Sequence, residues 1–147
     1  MKDESKQRTH YNSGLPTEPL RGYCRAVQVG DRLFISGTTA LNEKGVVVGG
    51  DSVYRQTRAV IENIREVVKA AGFSMSDIVR TRLFVVRMSE WKEYARAHRE
   101  VFDSIRPASS IVEVSRLMDP RFLIEMEAEA IRGCEQVAEE EVSFTYE

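Results

Sequence analysis

The chain has little of what marks secreted, membrane or nucleic-acid-binding proteins. Of its 147 residues, two are cysteine, two histidine, four proline and one tryptophan. Cys24 and Cys134 lie far apart without ligand-type spacing. This excludes a disulfide framework and a cysteine metal knuckle, and it sets the expectation of reduced thiols in the cytoplasm. His10 and His98 form no pair at metal spacing, so no metal site is expected. The net charge is −2, without the basic surplus that nucleic acid requires. No apolar run approaches the about 20 residues that cross a bilayer. The start, MKDESKQRTH, lacks the apolar centre of a secretory signal. Gly45, Gly49 and Gly50 read as turn chemistry, and no glycine-rich phosphate loop is present.

What remains is an ordinary globular balance, 42% hydrophobic and 30% charged, in a length that suits one domain with a core. Residues 1–20, with Gly14, Pro16 and Pro19, read as an extended or mobile arm. Residues 21–132 read as the domain and 133–147 as an acidic tail. AVQV and RLFISG, joined by Gly30-Asp31, predict a hairpin, because glycine accepts the positive φ of such a turn. Val46–Val48 reads as a short third strand. Asp51 or Ser52 caps a helix that Gly72 ends, with an apolar stripe from Val53 to Ala71 at helical spacing. IVRTRLFVV reads as a strand. A second helix is expected to start at Ser89, with Trp91, Tyr94, Ala95, His98, Val101 and Phe102 as its stripe. Two strands, near 109–115 and 122–132, complete a β-β-β-α-β-α-β-β order. That is an α+β layout with two helices on one face of a sheet.

The last strand carries the most informative pattern. Phe122 to Ala128 alternates apolar and acidic residues, which places Glu125 and Glu127 on one strand face. A carboxylate in such an apolar context is costly unless it is solvated, paired or used. Glu125 is therefore either a candidate acid–base group or a solvated or intersubunit glutamate. Tyr23 either orients a ligand or packs with its hydroxyl satisfied. Tyr23 and Arg25 share a face if their segment is extended, although the default for arginine is a surface or an interface. His98, alone on an apolar face, reads as structural. Cys24 and Cys134 lack the basic neighbours that a nucleophile needs.

These segments, taken together, resemble the Rid (YjgF-like) family, which has a chorismate-mutase-like α+β fold. The resemblance rests on Tyr23-Cys24-Arg25-Ala26-Val27, Phe34-Ile35-Ser36-Gly37-Thr38, Gln56-Thr57-Arg58, Ala71-Gly72, Asp77-Ile78-Val79-Arg80-Thr81, Pro107 through Val114, and Ile124-Glu125-Met126-Glu127-Ala128. Their order and spacing match from about residue 21 to 132.

The resemblance implies a homotrimer that binds a small-molecule ligand in clefts between subunits. It also implies hydrolysis of enamines and imines to keto acid and ammonia, with no cofactor. It makes Glu125 the residue that positions or activates water, Tyr23 a pocket tyrosine and Trp91 an aromatic wall. Gly37 and Thr38 line the cleft through backbone groups. The family's deaminating members carry a carboxylate-gripping arginine where this chain has Ser109. A serine hydroxyl offers neither charge nor a bidentate fork. Deamination of 2-imino acids is therefore the activity this chain departs from, and Arg25 is the candidate for restoring charge. The alternative is a non-catalytic trimer that binds a metabolite or partner in the same cleft.

Overall fold

The computed structural model describes residue 3 and residues 6–145. Six strands form one sheet: β1 (Arg8–Tyr11), β2 (Ala26–Val29), β3 (Arg32–Thr38), β4 (Ile78–Val85), β5 (Ala108–Glu113) and β6 (Ile124–Ile131). A short helix, α1 (Thr17–Arg21), precedes β2, and two longer helices, α2 (Val53–Ala70) and α3 (Trp91–Phe102), follow. The strand order is β1-β2-β3-β6-β4-β5. Every neighbouring pair is antiparallel except β4 and β5, whose parallel pairing uses α3 as the crossover.

Both long helices lie on one sheet face, as the apolar stripes predict. From α2, Val60, Ile61, Ile64 and Val68 meet Ile124, Met126, Ala128 and Ala130 of β6 in one core. Ile61, Ile64 and Ile124 are fully buried, each contributing about 1.5–3 kcal/mol. Ser52 caps α2 by accepting a hydrogen bond from the Arg55 amide, and Gly72 follows its end at a φ of 75°. The Gly30-Asp31 hairpin also forms as expected, with Gly30 at a φ of 60°.

Four local expectations are corrected. The arm is partly built into the sheet: β1 pairs with β2, and Gly22, at a φ of 72°, ends α1 and turns the chain into Tyr23. Val46–Val48 is not a strand, only one side of an isolated bridge between Leu41 and Val47. The Asn42 carboxamide accepts from the amides of Lys44 and Val46, closing a loop too tight for a longer ladder. Ser89 does not cap the second helix; it lies in a 3₁₀ turn, Met88–Glu90, and α3 begins at Trp91 without a side-chain cap. The buried stripe of α3 is Tyr94, Ala97 and Phe102, while Ala95 and Trp91 face outward, because the helix is turned about its axis to seat Tyr94 in the core.

Two buried polar side chains fix the entry to β6. Gln56 donates to the carbonyls of Gly50 and Arg121, each at 2.8 Å, and accepts from the Leu123 amide at 2.9 Å. The Tyr94 hydroxyl donates to the Leu123 carbonyl at 2.7 Å. Leu123 is therefore held through both backbone groups, two residues before Glu125.

Candidate functional site

On β6, the residues facing the helices alternate with Glu125, Glu127 and Glu129 on the open face. Glu127 and Glu129 stand opposite Arg82 and Arg80, and Arg82 reaches Glu129 at 3.1 Å. Glu125 stands opposite Phe84 and accepts no hydrogen bond from any described residue. A shift in register on β3, between Ile35 and Thr38, brings Gly37 beside it. A Cβ on Gly37 would overlap Glu125 Oε1 and lie 2.8 Å from Cδ, so only glycine leaves room for the carboxyl group.

Three residues of the segment before β2 complete the group. Arg25 Nη2 donates to the Gly37 carbonyl, and the Arg25 side chain is buried, with 8% of the residue exposed. Its Nε has no hydrogen-bond partner among the described residues. The Arg25 guanidinium lies 5.7 Å from the Tyr23 ring centroid, and that of Arg21 lies 4.2 Å from it. The Tyr23 hydroxyl shares a 2.9 Å hydrogen bond with Thr17. Burial raises the Glu125 pKa above the ordinary carboxylate value, while Arg21 and Arg25 draw it back and Glu127 adds to the rise. The result is a half-buried carboxyl that holds its proton more tightly than a surface glutamate does.

The structure thus brings Glu125, Gly37, Arg25 and Tyr23 together. Thr38 adjoins them, but it is buried and its hydroxyl donates to the Ser36 carbonyl. Arg25 and Thr38 also line a hollow of about 630 Å³ with Leu15, Asn63 and Glu66. Two expected members stand apart within the single chain. Trp91 heads α3 on the helical side, 52% exposed, with its ring beside Lys92. Ser109 lies on the edge strand β5 opposite Thr81, whereas Glu125 is opposite Phe84 on the other face. Its hydroxyl accepts from Thr81 at 2.8 Å.

Sequence reasoning missed Arg21. The signal was Gly22, the helix-ending residue that turns Arg21 back over Tyr23. Among the described residues, no three of His, Cys, Asp and Glu are grouped to hold a metal ion.

Comparison with known proteins places these residues in context. Residues 15–132 match the family model described as endoribonuclease L-PSP. An uncharacterized protein of Streptomyces coelicolor is 36% identical over 121 residues, covering 82% of this chain and 90% of that protein. The 2-iminobutanoate/2-iminopropanoate deaminase of Escherichia coli is 34% identical over 114 residues, covering 75% of this chain and 87% of the enzyme. A Mycobacterium tuberculosis crystal structure, described as a member of the YjgF/YER057c/UK114 family, superimposes with a TM-score of 0.77 at 38% identity, covering 85% of this chain and 99% of that one.

Proposed function

The chain belongs to the YjgF/Rid family, that of the endoribonuclease L-PSP model, and on that premise we propose that it hydrolyses a small imine, enamine or related electrophile. The observation that carries this reading is the Glu125 carboxyl: half-buried, raised in pKa, and without a hydrogen bond from any described residue. Such a group is available to a water molecule and a substrate nitrogen. Water adds to the carbon of the C=N bond while Glu125 takes its proton. The same carboxyl returns that proton to nitrogen to give a carbinolamine, then carries the hydroxyl proton to nitrogen as the C–N bond breaks, and carbonyl product and ammonia leave. One water is consumed and nothing is oxidised. Tyr23, Arg25 and the backbone at Gly37 and Thr38 hold the ligand beside Glu125.

The working assembly is a cytoplasmic homotrimer with the cleft between subunits. Every residue of β5 is exposed, Ile111 and Val112 among them, and Phe34 is exposed on the open sheet face. Contact with a second copy would cover these apolar groups and could bring its Ser109 and Trp91 toward Glu125. No described helix is long and apolar enough to cross a membrane. The net charge of −2 offers no electrostatic footprint for RNA, which favours a small metabolite over the nuclease activity that the family description names.

Ser109 favours a second reading, a trimer that binds a metabolite without turning it over, because the serine cannot grip a substrate carboxylate as arginine does. The two readings separate in one assay. A panel of imines is generated in situ, from amino acids by an amino acid oxidase and from primary amines by an amine oxidase, and carbonyl product is followed with and without the protein. Acceleration over spontaneous hydrolysis is the expected result, weaker for the 2-imino acids, whose carboxylate Ser109 cannot grip, than for imines without one. No acceleration across the panel, with saturable binding of the products, would establish the binding protein instead.

A further inference from the structure

Behind Ser109 lies a hydrogen-bond chain that the Glu125 site does not use. Thr81 is fully buried on β4. Its Oγ1 lies 2.9 Å from Nε2 of His98 on α3 and 2.8 Å from Oγ of Ser109 on β5. A threonine hydroxyl has one hydrogen and two lone pairs. With that hydrogen directed to Ser109, Thr81 must accept from His98. His98 Nε2 then carries the proton. The imidazole is held against Phe102, with ring centroids 4.5 Å apart, and burial lowers its pKa, so the neutral ring supplies the N–H. Ser109 accepts from Thr81 and is exposed, so its own hydrogen is left for a partner outside the chain.

We propose that His98 and Thr81 are positioning residues that fix Ser109 as an outward hydrogen-bond donor, suited to a neutral acceptor oxygen of the ligand, such as a carbonyl or amide. Each hydrogen bond in the chain polarises the next, so the Ser109 hydrogen is both aimed and strengthened as a donor. The ligand-facing part rests on the reading of the cleft above; the direction of the chain does not.

Two measurements test it. The chain has two histidines, so a His10→Gln background leaves His98 as the single imidazole in a long-range proton–nitrogen spectrum. The expected pattern is the neutral Nε2–H tautomer, changing to a mixture in Thr81→Val. An Nδ1–H tautomer overturns the chain whatever a ligand does. The binding probe is 2-oxobutanamide, with 2-oxobutanoate as its charged counterpart, each titrated against the full chain. Ser109→Ala and Thr81→Val should each weaken the amide about 3- to 10-fold, the scale of one neutral hydrogen bond. His98→Gln, which keeps an N–H donor, should retain most of the affinity that His98→Leu loses. Loss in Ser109→Ala without loss in Thr81→Val overturns the positioning role. An Nε2–H tautomer together with unchanged or undetectable amide binding overturns Ser109 as the ligand's donor, and leaves the hydrolase reading to the imine assay.

Discussion

Gly37 runs so close to Glu125 that a methyl group on it would overlap Oε1 and sit 2.8 Å from Cδ. Because Gly37 has no positive φ, alanine there is not strained by the backbone itself, only by the carboxyl group. Gly37→Ala should fold and should push the Glu125 side chain out of place. We expect a fall in turnover of about 10- to 100-fold, the penalty for a displaced acid–base group. Native-like circular dichroism with unchanged turnover would show that the proximity has no catalytic consequence.

Glu125→Gln keeps the shape of the side chain and removes its basic oxygen. If Glu125 moves the proton of water, turnover on the best imine of the panel should drop about 100-fold or more. The assembly should be unaffected. A folded variant with wild-type kinetics would move the catalytic assignment away from this carboxyl.

The same substitution has a stability consequence with a definite sign. Burial raises the pKa of Glu125 in the folded state, so the folded chain holds this proton more tightly than the unfolded chain does. Its contribution to stability is full below the ordinary carboxylate value and is lost as pH rises through the raised value. Glu125→Gln should therefore be at least as stable as the parent at neutral pH. Its advantage should shrink as pH is lowered from about 7 to 4, a window that spans the carboxylate range. Thermal unfolding at several pH values checks this, and a variant less stable at neutral pH than in acid, relative to the parent, would reverse the argument.

Gln56 satisfies three backbone groups from within the core, including the Leu123 amide that leads into β6. Gln56→Ala strands these groups and leaves a cavity at a fully buried position. The expected cost is about 2–4 kcal/mol, read by denaturant unfolding. Turnover in the remaining folded protein should also fall, because β6 positions Glu125. A loss below about 1 kcal/mol would mean that water replaces the carboxamide at little expense.

The apolar residues of the sheet edge and open face, Phe34, Ile111 and Val112, predict association. Light scattering at micromolar concentration should give three times the 16.7 kDa chain mass. Phe34→Glu should weaken that state. A monomeric parent chain would remove the intersubunit cleft from the proposal.

The sequence by itself determined the layers of the fold. Periodicity of 3.6 from Val53 to Val68 and of two from Ile124 to Ala130 specified which faces are apolar, and buried apolar area dominates the free energy of folding. The Ser52 cap, the Gly30 turn and the alternation that sets Glu125 on the open face are local consequences of residue type, so they too were legible. Tertiary structure alone decided what the side chains meet. The register shift in β3 set Gly37 beside Glu125, Gly22 turned Arg21 over Tyr23, and the rotation of α3 put Tyr94 rather than Trp91 in the core. The parallel pairing of β5 with β4 set Ser109 against Thr81, which also meets His98, instead of against Glu125. These contacts join residues distant in sequence, and each depends on how whole elements dock. A pattern local to one strand or helix carries no record of which face of another it will meet.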